Sequence, residues 1–504
     1  MLWTTALLLS PLLGILILTF LPRESKRLLQ TVGVLVALVP LVLALLMYAQ
    51  FDRDAEAMQF DGSVPWFAIP IPGGMGQGFV FEYTVGVDGL SMALILLTAI
   101  VSFVVVLAAV HLAERVKAFL MLLFLLEAGL LGTFVSLNLL LFFLFFELVI
   151  VAMYFLISFW GFRERESAGI QFLLYNGIGS LILLLALIVL LLHTGTLDFL
   201  QLQSMLGNEQ YRTMAGLGDP LRWGVLLAIL AAFAVKLPVV PLHTWMIRVN
   251  QEAHPAVVML ESGLVLKIGG YGMMRLGVGL FPDLMASLGS LLAILGLVNL
   301  FYGGFLALVQ QDLRRVLAYA SVSHMGIVLL GLAAMNASGW QGVIFQLVSH
   351  GLLSPLLFYI LLIIYLRTGT TRLDELGGLI RVMPVLSGVF LAAAMGYLGL
   401  PLMSGFVSEF LTFHGLFDRL PGFAAVGVLG MILTAAYLLR AMQGITFGPL
   451  IPRLQEGGVN DVRVLEFIPA IALLALVLLL GVIPSVLGDP LQNTLQSLLL
   501  RLGG

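Results

Sequence analysis

Apolar runs long enough to cross a bilayer recur along nearly the whole chain, and this repetition constrains the fold more than any single motif. A hydrocarbon core about 30 Å thick takes roughly twenty apolar residues of helix, because backbone in lipid must satisfy its own N–H and C=O groups. Read at that length, the sequence predicts about fourteen spans: 2–21, 28–49, 88–110, 117–135, 138–159, 170–193, 222–246, 255–278, 284–309, 314–335, 338–366, 384–415, 421–446 and 466–486. The expected class is an all-α polytopic membrane protein. With 61% hydrophobic and 10% charged residues, no soluble domain is expected. The longest polar interruption, 50–86, is too short and too rich in glycine and proline to bury a core. The first run lacks a small-residue cleavage site and leads straight into a second, so it reads as structure. The absence of cysteine excludes disulfides, thiolate metal sites and iron–sulfur ligation by this chain.

Basic residues predict the orientation. Fifteen fall on one side: Arg23, Lys26, Arg27, Arg115, Lys117, Arg163, Arg165, Arg248, Arg314, Arg315, Arg367, Arg372, Arg381, Arg453 and Arg463. Six fall on the other: Arg53, Arg212, Arg222, Arg275, Arg419 and Arg501. Positive-inside bias makes the first side cytoplasmic and puts both termini outside. After Gly488 the tail alternates apolar and polar residues and is expected on the membrane surface. The glycine-rich GGMGQG at 73–78 has no strand–helix context and reads as loop, not as a nucleotide fingerprint. No nucleic-acid partner and no metal cluster are expected.

Two spans carry breaks. In the seventh, Lys236 is followed at once by Pro238 and Pro241, so the helix cannot run through. In the twelfth, GLPLMSGFVSEF places Pro401 eight residues before Glu409. The two are an odd number of spans apart, so a repeat relating them is inverted in the membrane. Paired broken helices of this kind point to an ion site near mid-membrane. Spans 4–8 and 9–13 are read as the repeats, giving segments 1–110, 111–278, 279–446 and 447–504.

Eight ionisable groups lie inside the spans: Glu127, Glu147, Lys236, Glu261, Lys267, His324, His350 and Glu409. A charged group at a helix centre costs about 2.5–3.5 kcal/mol on insertion scales, so these are expected to face inward, paired or hydrated. Two of the chain's four lysines are among them. A lysine beside a glutamate at low dielectric exchanges protons on small rearrangement, which an arginine does not. Histidine bridges such groups near neutral pH. The set reads as a proton relay from carboxylate through lysines and histidines to carboxylate. Glu127 and Glu261 also read as structural partners, and each histidine as a core group bonded to a carbonyl. His243 and His254 read as helix-terminal or entry-path groups. No arginine except Arg440 is expected deep in a span.

The motifs VKLPVVPLHTW, VLKIGGYGMMR, QQDLRRVLAYASVSHMG, HGLLSPLLFY and GLPLMSGFVSEF occur in series. Together they resemble the antiporter-like subunits of respiratory complex I over about residues 88–450, and most resemble the M-type, in which the twelfth-span position is a glutamate. The resemblance implies that Glu147 pairs with Lys236, that Lys267 is the central relay lysine, and that His324 and His350 pass protons toward Glu409 on the outer side. It also implies that NADH, FMN, iron–sulfur clusters and quinone sit in partner subunits, with no cofactor here. The chain departs from the family at HTWMIRVNQEAHPAVV, which puts the proton entry path in question. The expectation is a non-redox, proton-translocating subunit of NADH:quinone oxidoreductase in an energy-transducing membrane, bound to membrane and peripheral subunits. The alternatives are a subunit of a multi-subunit Na+/H+ antiporter and a stand-alone solute transporter.

Overall fold

A computed structural model describes residues 1–55, 57–70, 78–112, 114–450 and 460–502. The expectations on Arg453 and on most of GGMGQG fall outside those residues. Among them, twelve helices are long and apolar enough to cross a membrane, and a pair bent by 113°, Leu373–Arg381 with Pro384–Tyr397, raises the number to thirteen. The twelve are α1 (Leu2–Thr19), α2 (Lys26–Ala49), α3 (Gly89–His111), α4 (Val116–Val135), α5 (Leu139–Phe159), α6 (Arg165–Thr194), α9 (Pro255–Val278), α10 (Gly289–Val309), α11 (Leu313–Ala334), α12 (Ala337–Thr368), α15 (Pro421–Phe447) and α16 (Val464–Val482). The expected count of fourteen exceeds this because the two remaining spans are each split. These are α7 (Asp219–Lys236) with α8 (Thr244–Glu252), and α13 (Pro384–Tyr397) with α14 (Ser404–Arg419).

Short polar caps set the boundaries. The Asn138 carboxamide accepts from the backbone N–H of Leu140 and starts α5, and Asp312 accepts from that of Arg314 and starts α11. Such caps satisfy donors a new helix leaves free. α9 and α12 are buried along their spanning windows, and α11 almost so, whereas α1, α2 and α15 turn most of theirs outward. These three inner helices carry Glu261, Lys267, His324 and His350, half of the eight ionisable groups. The outer ones are the apolar jacket that such a core needs in lipid.

One part of the chain differs from expectation. Two antiparallel strands, β1 (Gln59–Pro70) and β2 (Gly78–Val87), pair where an all-α chain was expected. The run FVFEYTVGV alternates aromatic and β-branched residues, which is a strand pattern a span-length window averages away. The tail forms the amphipathic helix α17 (Ser485–Leu500), whose Thr494 hydroxyl accepts from the Gly89 N–H at the start of α3. This docks the tail on the bundle.

Candidate functional site

The break between α7 and α8 is held by side chains from elsewhere. Pro238 and Pro241 end α7 just after Lys236. The freed Pro238 carbonyl accepts from Asn299 Nδ2 of α10 at 3.1 Å, and the Val240 N–H donates to Asn299 Oδ1 at 2.8 Å. Trp245 Nε1 donates to the Val235 carbonyl at 3.0 Å. Unpaired buried groups of this kind cost about 1–3 kcal/mol each, so Asn299 and Trp245 are what make an opened helix tolerable here. α9 comes directly against the break: a Cβ at Gly269 would lie 2.6 Å from the Leu237 nitrogen.

At this break the Lys236 ammonium is buried, with no hydrogen-bond partner, above the rings of Phe146 at 4.9 Å and Phe172 at 5.5 Å. Glu147 follows Phe146 on α5. Its carboxylate and that of Glu261 both act electrostatically on Lys236, yet no ion pair joins Lys236 to either among the described residues. The direct Glu147–Lys236 pair expected by resemblance is therefore open in this structure, with aromatic faces beside the ammonium. Cation–π contact supports a charged lysine without fixing it to one anion.

Glu261 and Lys267 sit on α9, where the wide turns Glu261–Val265 and Met273–Val278 replace regular α-helix. Turns of this type recur at functional positions because they reorient side chains within one helix. Glu261 is buried, accepts from Asn250 Nδ2 at 3.2 Å, and acts on both lysines. Its one hydrogen-bond partner among the described residues is Asn250, on α8 just after the first break. The Lys267 ammonium donates to the Ser262 carbonyl at 3.0 Å and to His350 Nδ1 at 2.7 Å. Glycines allow that approach: a Cβ at Gly351 would lie 3.0 Å from the Gly263 carbonyl, so α9 and α12 nearly touch beside the pair.

From His350 the polar line continues. Its ring centroid is 6.0 Å from that of His324, and the Tyr397 ring lies 5.7 Å from His350 and 4.2 Å from His324. Gln346 Nε2 donates to His324 Nδ1 at 2.9 Å, and Ser408 Oγ donates to Gln346 Oε1 at 2.5 Å. Both Nδ1 atoms thus accept, which assigns the proton of each neutral imidazole to Nε2. Ser408 precedes Glu409, whose Oε1 is buried without a partner. Glu127 is fully buried on α4 with neither oxygen hydrogen-bonded, and joins none of these contacts.

Glu409 is seated by the second break. Gly399 has φ +78°, in the left-handed region, and a Cβ there would collide with the Glu409 carboxylate. Gly399→Ala is expected to lower stability by about 1–2 kcal/mol from backbone strain alone and to displace Glu409. If Glu409 carries protons, uptake in that variant should fall to the level of Glu409→Gln. Thermal unfolding and proton uptake read the two effects separately.

Arginine is deeper than expected. Arg275, on α9, is buried and forms a two-pronged ion pair with Asp88 at 2.6 and 2.7 Å, while its Nε donates to the Tyr271 hydroxyl. Arg222 is likewise buried and pairs with Asp283 at 2.6 Å. Arg440 is exposed and reaches the Leu308 carbonyl. Near the other end of the bundle His243 lines a polar cleft of about 520 Å³ with Glu164, Thr244, Arg248, Gln251 and Arg315. His254 Nδ1 accepts from the Ala256 N–H at 3.2 Å, capping α9. Desolvation, aided by His111, lowers the pKa of His254 from 6.5 to about 4. Its folded form then stays neutral where the unfolded form protonates, so stability falls as pH drops from 6.5 toward 4. His254→Asn keeps the cap and should lose that part of the pH dependence, read as the difference between the two melting curves.

The family described as NADH:quinone oxidoreductase/Mrp antiporter, transmembrane, matches residues 136–434, more than half of the chain. The chain belongs to this family. The matched stretch holds Glu147, Lys236, Glu261, Lys267, His324, His350 and Glu409. Among its relatives this family member is 36% identical to NAD(P)H-quinone oxidoreductase chain 4 1 of Synechococcus elongatus, over 96% of this chain and 89% of that one. It is 35% identical to NADH-quinone oxidoreductase subunit M of Rhodobacter capsulatus, over 91% and 88%. Its fold matches a chain in respiratory complex I from Thermus thermophilus with bound NADH, at TM-score 0.83 and 30% identity over 100% of both chains. The relatives are thus membrane subunits of multi-subunit respiratory complexes, and this chain is an integral, multi-pass protein of the same kind. Among the described residues, no group of three or more His, Asp or Glu is placed to hold a metal ion.

Proposed function

We propose that this chain is a non-redox, proton-translocating subunit of an NADH:quinone oxidoreductase, with electron transfer through NADH, FMN, iron–sulfur clusters and quinone confined to its partners. The observation that carries the reading is the buried contact of Lys267 with His350 at 2.7 Å, beside which His324, Gln346 and Ser408 extend a polar line to the residue before Glu409. Protons enter from the cytoplasmic side by the cleft at His243 and reach Lys236 at the first break. An approach of Glu147 to Lys236 holds the charge there, and its withdrawal drives the proton by way of Glu261 to Lys267. Lys267 hands it to His350 Nδ1, and Nε2 of that ring releases one toward His324 and Glu409. The two broken helices give both ends of this line an opening in the membrane.

The test is Lys236→Ala in the assembled complex reconstituted in vesicles. Quinone-linked turnover per complex and proton uptake are measured together, and uptake is expected to fall with no loss of assembly. Unchanged uptake and turnover would sink the proposal. A second reading, a subunit of a multi-subunit Na+/H+ antiporter, draws on the other half of the family description. Co-purification decides: flavin and iron–sulfur partners favour the first, and only small membrane partners the second.

A further inference from the structure

The loops joining α1 to α2 and α3 to α4 meet in a cleft of about 570 Å³ lined by Arg23, Glu24, Lys26, Arg115, Lys117 and Met121. Four cations face a single carboxylate there, and among the described residues none of the four is in an ion pair. Two long helices also begin at this cleft without a side-chain cap. They are α2, 24 residues after Ser25, and α4, 20 residues after Arg115, which has φ 54°. Their free N–H groups and positive dipole ends add to the field. The lysines are partly spent: Lys117 donates to the Thr19 and Leu21 carbonyls at 2.9 and 2.8 Å, at the negative end of α1, and Lys26 donates to Leu112 at 2.5 Å. That leaves the exposed guanidinium groups of Arg23 and Arg115 to face an incoming anion.

The cleft adjoins an apolar wall. Leu9, Leu13 and Leu16 along α1 are 49%, 57% and 55% exposed, and Phe20, just beyond α1 and three residues before Arg23 of the cleft, is 80% exposed. A ligand that meets both features has a phosphate head at the interface and hydrocarbon tails beside α1. We propose that this cleft is a headgroup site for an anionic phospholipid, its phosphate held by Arg23 and Arg115 and its acyl chains lying on α1. Basic pockets between helix ends at a membrane surface suit such headgroups, and each cation contributes roughly fivefold in affinity.

The experiment places the purified complex in phosphatidylcholine bilayers containing spin-labelled phosphatidylglycerol and measures the motionally restricted lipid fraction. Enrichment of phosphatidylglycerol over phosphatidylcholine is expected, falling roughly twenty-five-fold at this site in Arg23→Gln/Arg115→Gln. Arg163→Gln/Arg381→Gln, away from the cleft, should leave it intact. Equal enrichment in the cleft variant, or an equal drop in the distant one, overturns the proposal. Displacement of the bound label by inorganic phosphate alone overturns it in favour of a free-anion site. Displacement by an acidic peptide does so in favour of a protein partner. Melting temperatures of both variants show that the fold is unchanged.

Discussion

Under the proposed relay, Lys267→Arg is expected to stop proton translocation as completely as Lys267→Ala. The arginine keeps the positive charge in a buried site built for one, and it still has donors for the Ser262 carbonyl and His350 Nδ1, which Lys267 contacts at 3.0 and 2.7 Å. What it cannot do is give up a proton in the physiological range. A structural role for Lys267 predicts that arginine rescues and alanine does not. A relay role predicts that both fail, each by about a hundredfold or more, the size typical of a lost proton-transfer group. The measurement is proton uptake by reconstituted complexes, normalised to assembled chain. Wild-type uptake in the arginine variant would refute the relay. A cycle with His350→Ala adds a second check, because two members of one line are expected to be strongly non-additive.

The length and spacing of the apolar runs were enough to read twelve of the helices, because spanning segments obey a length rule that local sequence carries alone. Prolines at 238, 241 and 401 were enough to read the breaks. Lysine, glutamate and histidine in apolar surroundings were conspicuous for the same reason: their insertion is expensive wherever the fold puts them. The missed residues are those whose meaning is purely tertiary. Asn299, Asn250, Gln346 and Ser408 are unremarkable as letters, and only the folded chain brings Asn299 to the open carbonyl of Pro238, 61 positions away. Tyr397 reads as an ordinary aromatic in an apolar helix until α13 lays it against both histidines. The opening between Glu147 and Lys236 was also illegible. Motif resemblance carries which groups interact, whereas their separation depends on how α5 and α7 pack around Phe146.

The Arg275–Asp88 pair leads to the largest expected effect on stability. Its partners are 187 residues apart, and counting loop charges placed Arg275 among solvated residues. In the fold it is an ion pair with side-chain exposures of only 7% and 10%, satisfied further by Ser91 and Tyr271. Asp88→Ala strands a guanidinium that stays charged and has no way back to water. Leaving one member of a buried pair uncompensated costs about 3–5 kcal/mol, enough to unfold or misassemble a marginal chain. The Asp88 carboxylate also caps α3, accepting from the Ser91 N–H at 3.0 Å. Asp88→Asn keeps the cap and loses the charge, so it separates the two contributions and should retain most of the defect. Asp88→Asn/Arg275→Leu removes the stranded charge while preserving the cap. It should recover much of the lost thermal stability and the yield of assembled complex, since apolar replacement of a whole buried pair is often neutral. If Asp88→Asn assembles and melts like the wild type, the pair is not what joins α3 to α9, and the docked tail at Thr494 takes over as the explanation for how the start of α3 is held.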